Sequence, residues 1–277
     1  MNDIKKSPAD TAWESIKSAS DLVDHDKLKV LLYAPTKQGK SRACALFGKR
    51  PLIGLCEQQA VVTIKRANPN ASVFQIQNAK DLSAFRDIAM SERARKTFDA
   101  ICLDGVTDAQ RILRTYYTAK QGTKAGTQKT SQESWGLLID ATAKFIRDLR
   151  DIPLHVLVTA LDQEESVEGV GIVHRPGVSG KRLPNDLGQY FNAVGYLHTA
   201  QRARGLRREV LFRANEQYLV GAPDFLDDVE VPDPSIWIAK MEGLGLNADM
   251  QARVDVWQAI DQADDGSEQK EGNNDDE

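Results

Sequence analysis

The chain of 277 residues is 41% hydrophobic and 27% charged, enough apolar material for a full core, which excludes a wholly disordered, collagen-like or disulfide-scaffold protein. No apolar run approaches the roughly 18 residues that a bilayer requires, and Met1 opens a polar segment without a signal-peptide core, so a soluble, cytoplasmic chain with no membrane partner is expected. The net charge of −4 hides an asymmetry: residues 261–277 hold eight acids and a single base, Lys270, leaving a body of 35 basic and 32 acidic residues, which suggests a basic working surface and an acidic appendage.

In chain order, residues 1–26 read as a leader helix started by Ser7 and Pro8, with Trp13 and Ile16 packing from one face. Residues 28–33 form a continuous apolar strand, 40–47 a helix opening at Gly39, and 51–56 a second apolar strand. A strand-like stretch at 72–76 leads into a helix begun by Asp81, and 100–103 is a third buried strand that ends at Asp104. Residues 118–134 are polar and glycine-containing, too long for an ordinary connection, and are expected to be a mobile loop. A helix resumes through Leu137, Leu138, Phe145 and Leu149, followed by a core strand at 154–159 and a second irregular stretch at 162–184. Residues 193–197 and 209–212 read as two late strands, and an amphipathic helix near 248–260 precedes a disordered end.

Apolar strands without alternation, separated by helices, predict an α/β fold: a mostly parallel sheet with helices on both faces. The expected division is a leader at 1–26, a core at 27–228, a C-terminal extension at 229–260 and an acidic tail at 261–277.

Between the first strand and its helix stands Ala34-Pro35-Thr36-Lys37-Gln38-Gly39-Lys40-Ser41, followed by Arg42. In that position the sequence reads as a P-loop: backbone N–H groups and the helix N-terminus face phosphates, Lys40 reaches the terminal phosphates of ATP, and the Ser41 hydroxyl binds Mg²⁺. Ala34 occupies the place of the motif's first glycine, which requires a backbone there without positive φ. Asp104, at the tip of a buried strand, is the expected second Mg²⁺ residue. Gly105 follows it where many related enzymes carry a glutamate, so a catalytic base must come from elsewhere; Glu57, directly after the second strand, is the candidate. Thr159, ending the fourth strand, is either a γ-phosphate sensor or an ordinary β-branched strand residue.

On these residues the chain resembles the RecA-like P-loop ATPases encoded by phages, the AAA-domain nucleotide-binding proteins that include RecA-type single-strand annealing proteins. The likeness covers about residues 28–220, through 31–41, 51–57, 101–104, Ser134-Trp135-Gly136, 154–160, Gly180-Lys181 and 191–197. It implies an ATPase that uses ATP and Mg²⁺, has Glu57 as its water-activating base, and acts on single-stranded DNA in phage recombination or replication. A homo-oligomer and replication or recombination protein partners go with it.

Under that resemblance the two irregular stretches become DNA-holding loops, in which Lys120, Lys124, Lys129, Arg175, Lys181 and Arg182 would neutralise phosphates. The plainer reading of the same residues is a solvated surface without aromatics for stacking. A second basic cluster contains Arg202, Arg204, Arg207, Arg208 and Arg213. Of these, Arg207, Arg208 and Arg213 are candidates to reach a neighbouring subunit's ATP, and a charged strand edge that resists aggregation is the alternative. Cys44, Cys56 and Cys102 match no zinc or redox spacing and are expected as buried thiols. None of His25, His155, His174 and His198 stands at ligand spacing with another histidine or cysteine, so no metal beyond Mg²⁺ is expected. Two other functions use the same loop: a small-molecule kinase, and a non-hydrolysing module in which ATP fixes a shape that partners read.

Overall fold

The structure, a computed structural model, describes residues 27–120 and 132–261 together with Trp13, Ile16 and Ser18. The chain begins with β1 (Lys29–Ala34), α1 (Lys40–Leu46), β2 (Pro51–Leu55), α2 (Val61–Ala67), β3 (Ser72–Gln75), α3 (Ala79–Met90), α4 (Glu92–Thr97) and β4 (Ala100–Asp104). Next come α5 (Val106–Lys120), α6 (Gln132–Arg150), β5 (His155–Val167), β6 (Gly171–Pro176) and α7 (Leu183–Gly188). The chain then adds β7 (Ala193–Arg202), β8 (Gly205–Leu211), β9 (Val229–Glu230), α8 (Pro234–Met241) and α9 (Ala248–Ala259).

One sheet runs in the order β3-β2-β4-β5-β1-β7-β8-β9. The pairs from β3 to β7 are parallel, and β8 and β9 close the far side antiparallel. The α/β class expected from the sequence is therefore the fold observed. Successive residues of a strand point to opposite faces, and β1 shows the consequence. Leu31 and Tyr33 join Phe85 of α3, Val106 of α5, Ile146 of α6 and Leu187 of α7 on one side. Val30, Leu32 and Ala34 join Cys44 of α1, Ile64 of α2 and Trp237 of α8 on the other. Both faces are covered, which is why these strands read as unbroken apolar runs.

Local chemistry sets the element ends. Asn78 caps α3 by accepting from the backbone N–H groups of Lys80 and Asp81, while the Asp81 carboxylate accepts from Asn78, a full capping box. The helix thus starts two residues before Asp81, which is its third residue rather than its first. In β2, Gly54 lies under Phe85, so close that a Cβ there would stand 2.8 Å from the ring.

Several expectations change. Most of the stretch at 162–184 is regular: β5 continues to Val167 and pairs antiparallel with β6, from Asp162 opposite Pro176 to Val167 opposite Gly171, and only 177–182 stays irregular before α7. This hairpin leaves the core sheet; residues 163–172 are exposed apart from half-buried Val167, so the alternation that marks a half-buried strand is missing there, while Val173 and the Asp162 side chain at its root are buried. The ends of the mobile loop expected at 118–134 are helical, since α5 continues through Lys120 and α6 begins at Gln132, and residues 121–131 lie outside the described residues. Trp13 and Ile16 are exposed rather than packed. The remainder of the leader, His25, Lys124, Lys129 and residues 262–277 lie outside the described residues. Helix α9, read as amphipathic, buries no residue fully; it docks through Trp257, whose indole N–H donates to the Arg208 carbonyl at 2.8 Å. Among the described residues no helix is long and apolar enough to cross a membrane.

Candidate nucleotide site

Because β1, β4 and β5 run parallel, their C-terminal ends open at one edge of the sheet, where ligands of such sheets bind. Strand β5 separates the P-loop strand β1 from β4 and inserts Thr159 between them. A cavity of about 540 Å³ forms there, and it gathers Thr36, Lys37, Gly39, Lys40, Ser41, Arg42, Glu57, Asp104 and Thr159. Residues far apart in the chain and picked out singly thus share one wall.

The loop geometry answers the question raised by Ala34. Among the described residues Lys37 (φ 62°) is the one non-glycine with left-handed backbone, and Gly39 (φ 118°) caps α1 in the same region. Ala34 ends β1 in extended conformation and is fully buried, so its Cβ costs nothing in backbone strain. Gln38 turns away, its side-chain oxygen accepting from the Thr199 hydroxyl at 2.8 Å.

Lys40 donates to the carbonyls of Ala34 at 2.9 Å and Pro35 at 2.8 Å, which holds its ammonium at the mouth of the loop. Burial pushes its pKa down, and the negative charges of Asp104, Glu57 and Asp162 oppose the drop. Burial likewise raises the Asp104 carboxyl, against hydrogen bonds from Ser41 and Thr159 and the charge of Lys40. A hydroxyl and a carboxylate side by side form a hard oxygen donor set, which fits Mg²⁺.

Thr159 is fully buried and donates its hydroxyl to Asp104 Oδ1 at 2.9 Å. It orients the carboxylate from the cavity wall that it shares with Lys40 and Ser41. Glu57 opens onto the cavity, and burial, the Asp108 and Asp104 charges and a hydrogen bond with Asp108 push its pKa up. Asp108, in the first turn of α5, escaped the sequence reading; its position four residues after Asp104, one helical turn beyond the strand tip, was the available signal.

The arginines separate sharply. Arg208 lines this chain's own cavity, its guanidinium 3.9 Å from where a Cβ on Gly39 would lie. It thus reaches the P-loop of its own chain. Arg207 is buried; its guanidinium carbon sits 3.7 Å over the Trp257 ring and its side chain pairs with Glu209 at 2.9 Å and with Asp261. These contacts hold it within its own chain, where it fastens α9 to β8. Arg213 is exposed and pairs with Asp228 at 2.7 Å.

Among the described residues, those assigned to DNA do not line this cavity. Lys120 ends α5 with its ammonium 5.9 Å from the centre of the Tyr116 ring, Arg175 pairs with Glu165 at 3.2 Å on the hairpin, and Lys181 and Arg182 are exposed before α7. The three cysteines are free, Cys44 and Cys102 buried and Cys56 partly so, with burial pushing the Cys56 thiol up to about 12.

Residues 26–218 match the model of a family described as an AAA domain. The chain belongs to the AAA-domain family. That membership and the P-loop beside a buried aspartate make the cavity the candidate nucleotide site. Among solved structures, the KaiC-like protein of Pyrococcus horikoshii is 11% identical, with 71% of this chain and 82% of that chain covered and a TM-score of 0.38. The flagellar accessory protein FlaH of Methanocaldococcus jannaschii is 9% identical, with 71% and 84% covered and a TM-score of 0.36. No curated protein matches the chain in sequence.

Proposed function

We propose that this AAA-domain protein hydrolyses ATP at the P-loop cavity and couples its nucleotide state to single-stranded DNA. The observation that carries the reading is the convergence of Lys40, Ser41, Asp104 and Glu57 on one cavity. Ser41 and Asp104 would hold Mg²⁺, which when bound neutralises phosphate charge. Lys40 exchanges its two loop carbonyls for the phosphate oxygens. Glu57, its proton affinity raised by burial and by Asp108, takes a proton from the attacking water as the bond from the γ-phosphorus to the bridging oxygen breaks, leaving ADP and inorganic phosphate.

Support for the DNA partner comes from a neighbouring groove of about 390 Å³, lined by Gln110, Arg111, Arg114 and Ser179, which shares Leu161 with the nucleotide cavity. Leu161 offers a direct packing link between the two. The helices that flank 121–131 carry aromatics beside cations: Tyr116 under Lys120, and Trp135 with the Arg114 guanidinium 5.1 Å from its ring. Such pairs suit bases that stack and phosphates that attract cations, without sequence readout.

The test is phosphate release by the full chain with and without single-stranded oligonucleotide, alongside Lys40→Ala. Stimulation by DNA that is lost in the variant supports the reading. Turnover indifferent to DNA but dependent on a small acceptor indicates a kinase, and ATP binding without turnover indicates a non-hydrolysing module. A role in phage recombination, annealing, a homo-oligomer and replication partners belong to the same proposal.

A further inference from the structure

Where β5 leaves the sheet, Asp162 and Glu164 stand two residues apart on one side of the strand, and His174 is the cross-strand partner of Glu164 on β6. Each offers one ligand atom, and the three atoms lie within 4.8 Å of one another. The sequence search passed over this cluster because it asked for histidine or cysteine spacing along the chain, whereas antiparallel pairing brings residues 162, 164 and 174 together across a turn.

A second observation concerns Asp162 itself. Its side chain is only 5% exposed. Oδ2 is 2.7 Å from His174 Nδ1 and accepts from the Tyr196 hydroxyl at 3.2 Å, but Oδ1, also buried, has no hydrogen-bond partner among the described residues. A buried carboxylate oxygen with nothing to accept from is costly and points to a missing ion or water. The surroundings are built rather than incidental. The His174 ring stacks on Tyr218 with centroids 4.8 Å apart and planes at 9°, and its carbonyl accepts from the Tyr33 hydroxyl at 3.1 Å.

We propose that Asp162, Glu164 and His174 form a site for a first-row divalent cation of the zinc or manganese type, separate from the Mg²⁺ position at Ser41 and Asp104. One imidazole nitrogen with two carboxylates is a mixed donor set that favours these ions over magnesium, whose sites are built from oxygen alone. Asp162 contributes Oδ1, the atom with no other partner. Three protein ligands leave coordination positions for water, and Asp162 lines the groove that also holds Arg111 and Arg114, so the ion would fix the root of the hairpin beside that groove. The site does not depend on the nucleotide reading.

The test uses tag-free full-length protein, stripped with chelator and titrated with Co²⁺ and Zn²⁺ in excess Mg²⁺, followed by calorimetry and by the visible absorption of Co²⁺. One ion per chain is expected, with a visible band free of thiolate charge transfer, and it should persist in Asp104→Asn. Glu164→Gln, at an exposed position, should keep the circular dichroism of the parent and lose at least about tenfold in affinity. Glu165→Gln, on the opposite face of the strand, should bind as the parent does. Saturable binding that Glu164→Gln leaves unchanged would overturn the site, as would no binding at all, a thiolate band that places the ion on cysteine, or loss of binding in Asp104→Asn.

Discussion

The Thr159 hydroxyl donates to Asp104 Oδ1 at 2.9 Å across the two adjacent strands β5 and β4, both groups buried beneath the P-loop. The bond fixes the carboxylate from behind while Ser41 meets it from the loop side. Thr159→Val preserves the β-branched shape and removes the donor. Mg²⁺-dependent nucleotide binding or turnover should fall about 10- to 100-fold, the usual cost of losing an orienting partner of a metal residue. Thr159→Ser should retain most of it. Titrating Mg²⁺ at fixed ATP reads the difference, and a Val variant with parental Mg²⁺ dependence would reduce Thr159 to a strand residue.

Glu57 and Asp108 make the acid side of the pH profile diagnostic. The Glu57 pKa is raised, so its carboxylate is lost, and turnover with it, as pH falls through a point above the ordinary glutamate range. Asp108→Asn removes a negative charge that opposes ionisation, which lowers the Glu57 pKa and should move that limb to lower pH. Glu57→Gln should bind ATP yet turn over at least about tenfold more slowly, a conservative floor for loss of a general base. Rate profiles of the three proteins from acid to neutral pH check the sign; a limb that stays in place in Asp108→Asn would assign it to another group.

Arg208 lies beside the P-loop of its own chain. Arg208→Ala should lower ATP affinity or turnover roughly ten- to a hundredfold, the worth of a hydrogen bond to a charged group. Mixing it with Lys40→Ala should restore nothing, because neither chain then holds a complete site. Recovery of activity on mixing would show that the arginine serves a neighbour.

Two glycines with different surroundings test the packing. Gly54→Ala places a Cβ 2.8 Å from the Phe85 ring and 2.9 Å from Ile76, and should cost about 1–3 kcal/mol of stability by overpacking. Gly136→Ala meets nothing within 4 Å on α6 and should gain up to about 1 kcal/mol from helix propensity. Urea unfolding at fixed pH measures both.

The sequence alone determined the parts whose signal is local. A strand buried on both faces must be apolar throughout, so β1, β2, β4 and the first half of β5 were legible, and the phosphate loop was legible because its backbone needs Gly39 and its chemistry needs Lys40 and Ser41. Tertiary structure decided whatever depends on which chain segments meet. Sheet order put Thr159 behind Asp104, and the first turn of α5 brought Asp108 to Glu57. The pairing of β8 with β7 sent Arg208 to the P-loop while its neighbour Arg207 went under Trp257, since adjacent strand residues point to opposite faces. The hairpin of β5 and β6 was hidden for a related reason: its outer residues, 163–172, are mostly exposed, so they carry no hydrophobic period, and only the cross-strand register joins Glu164 to His174.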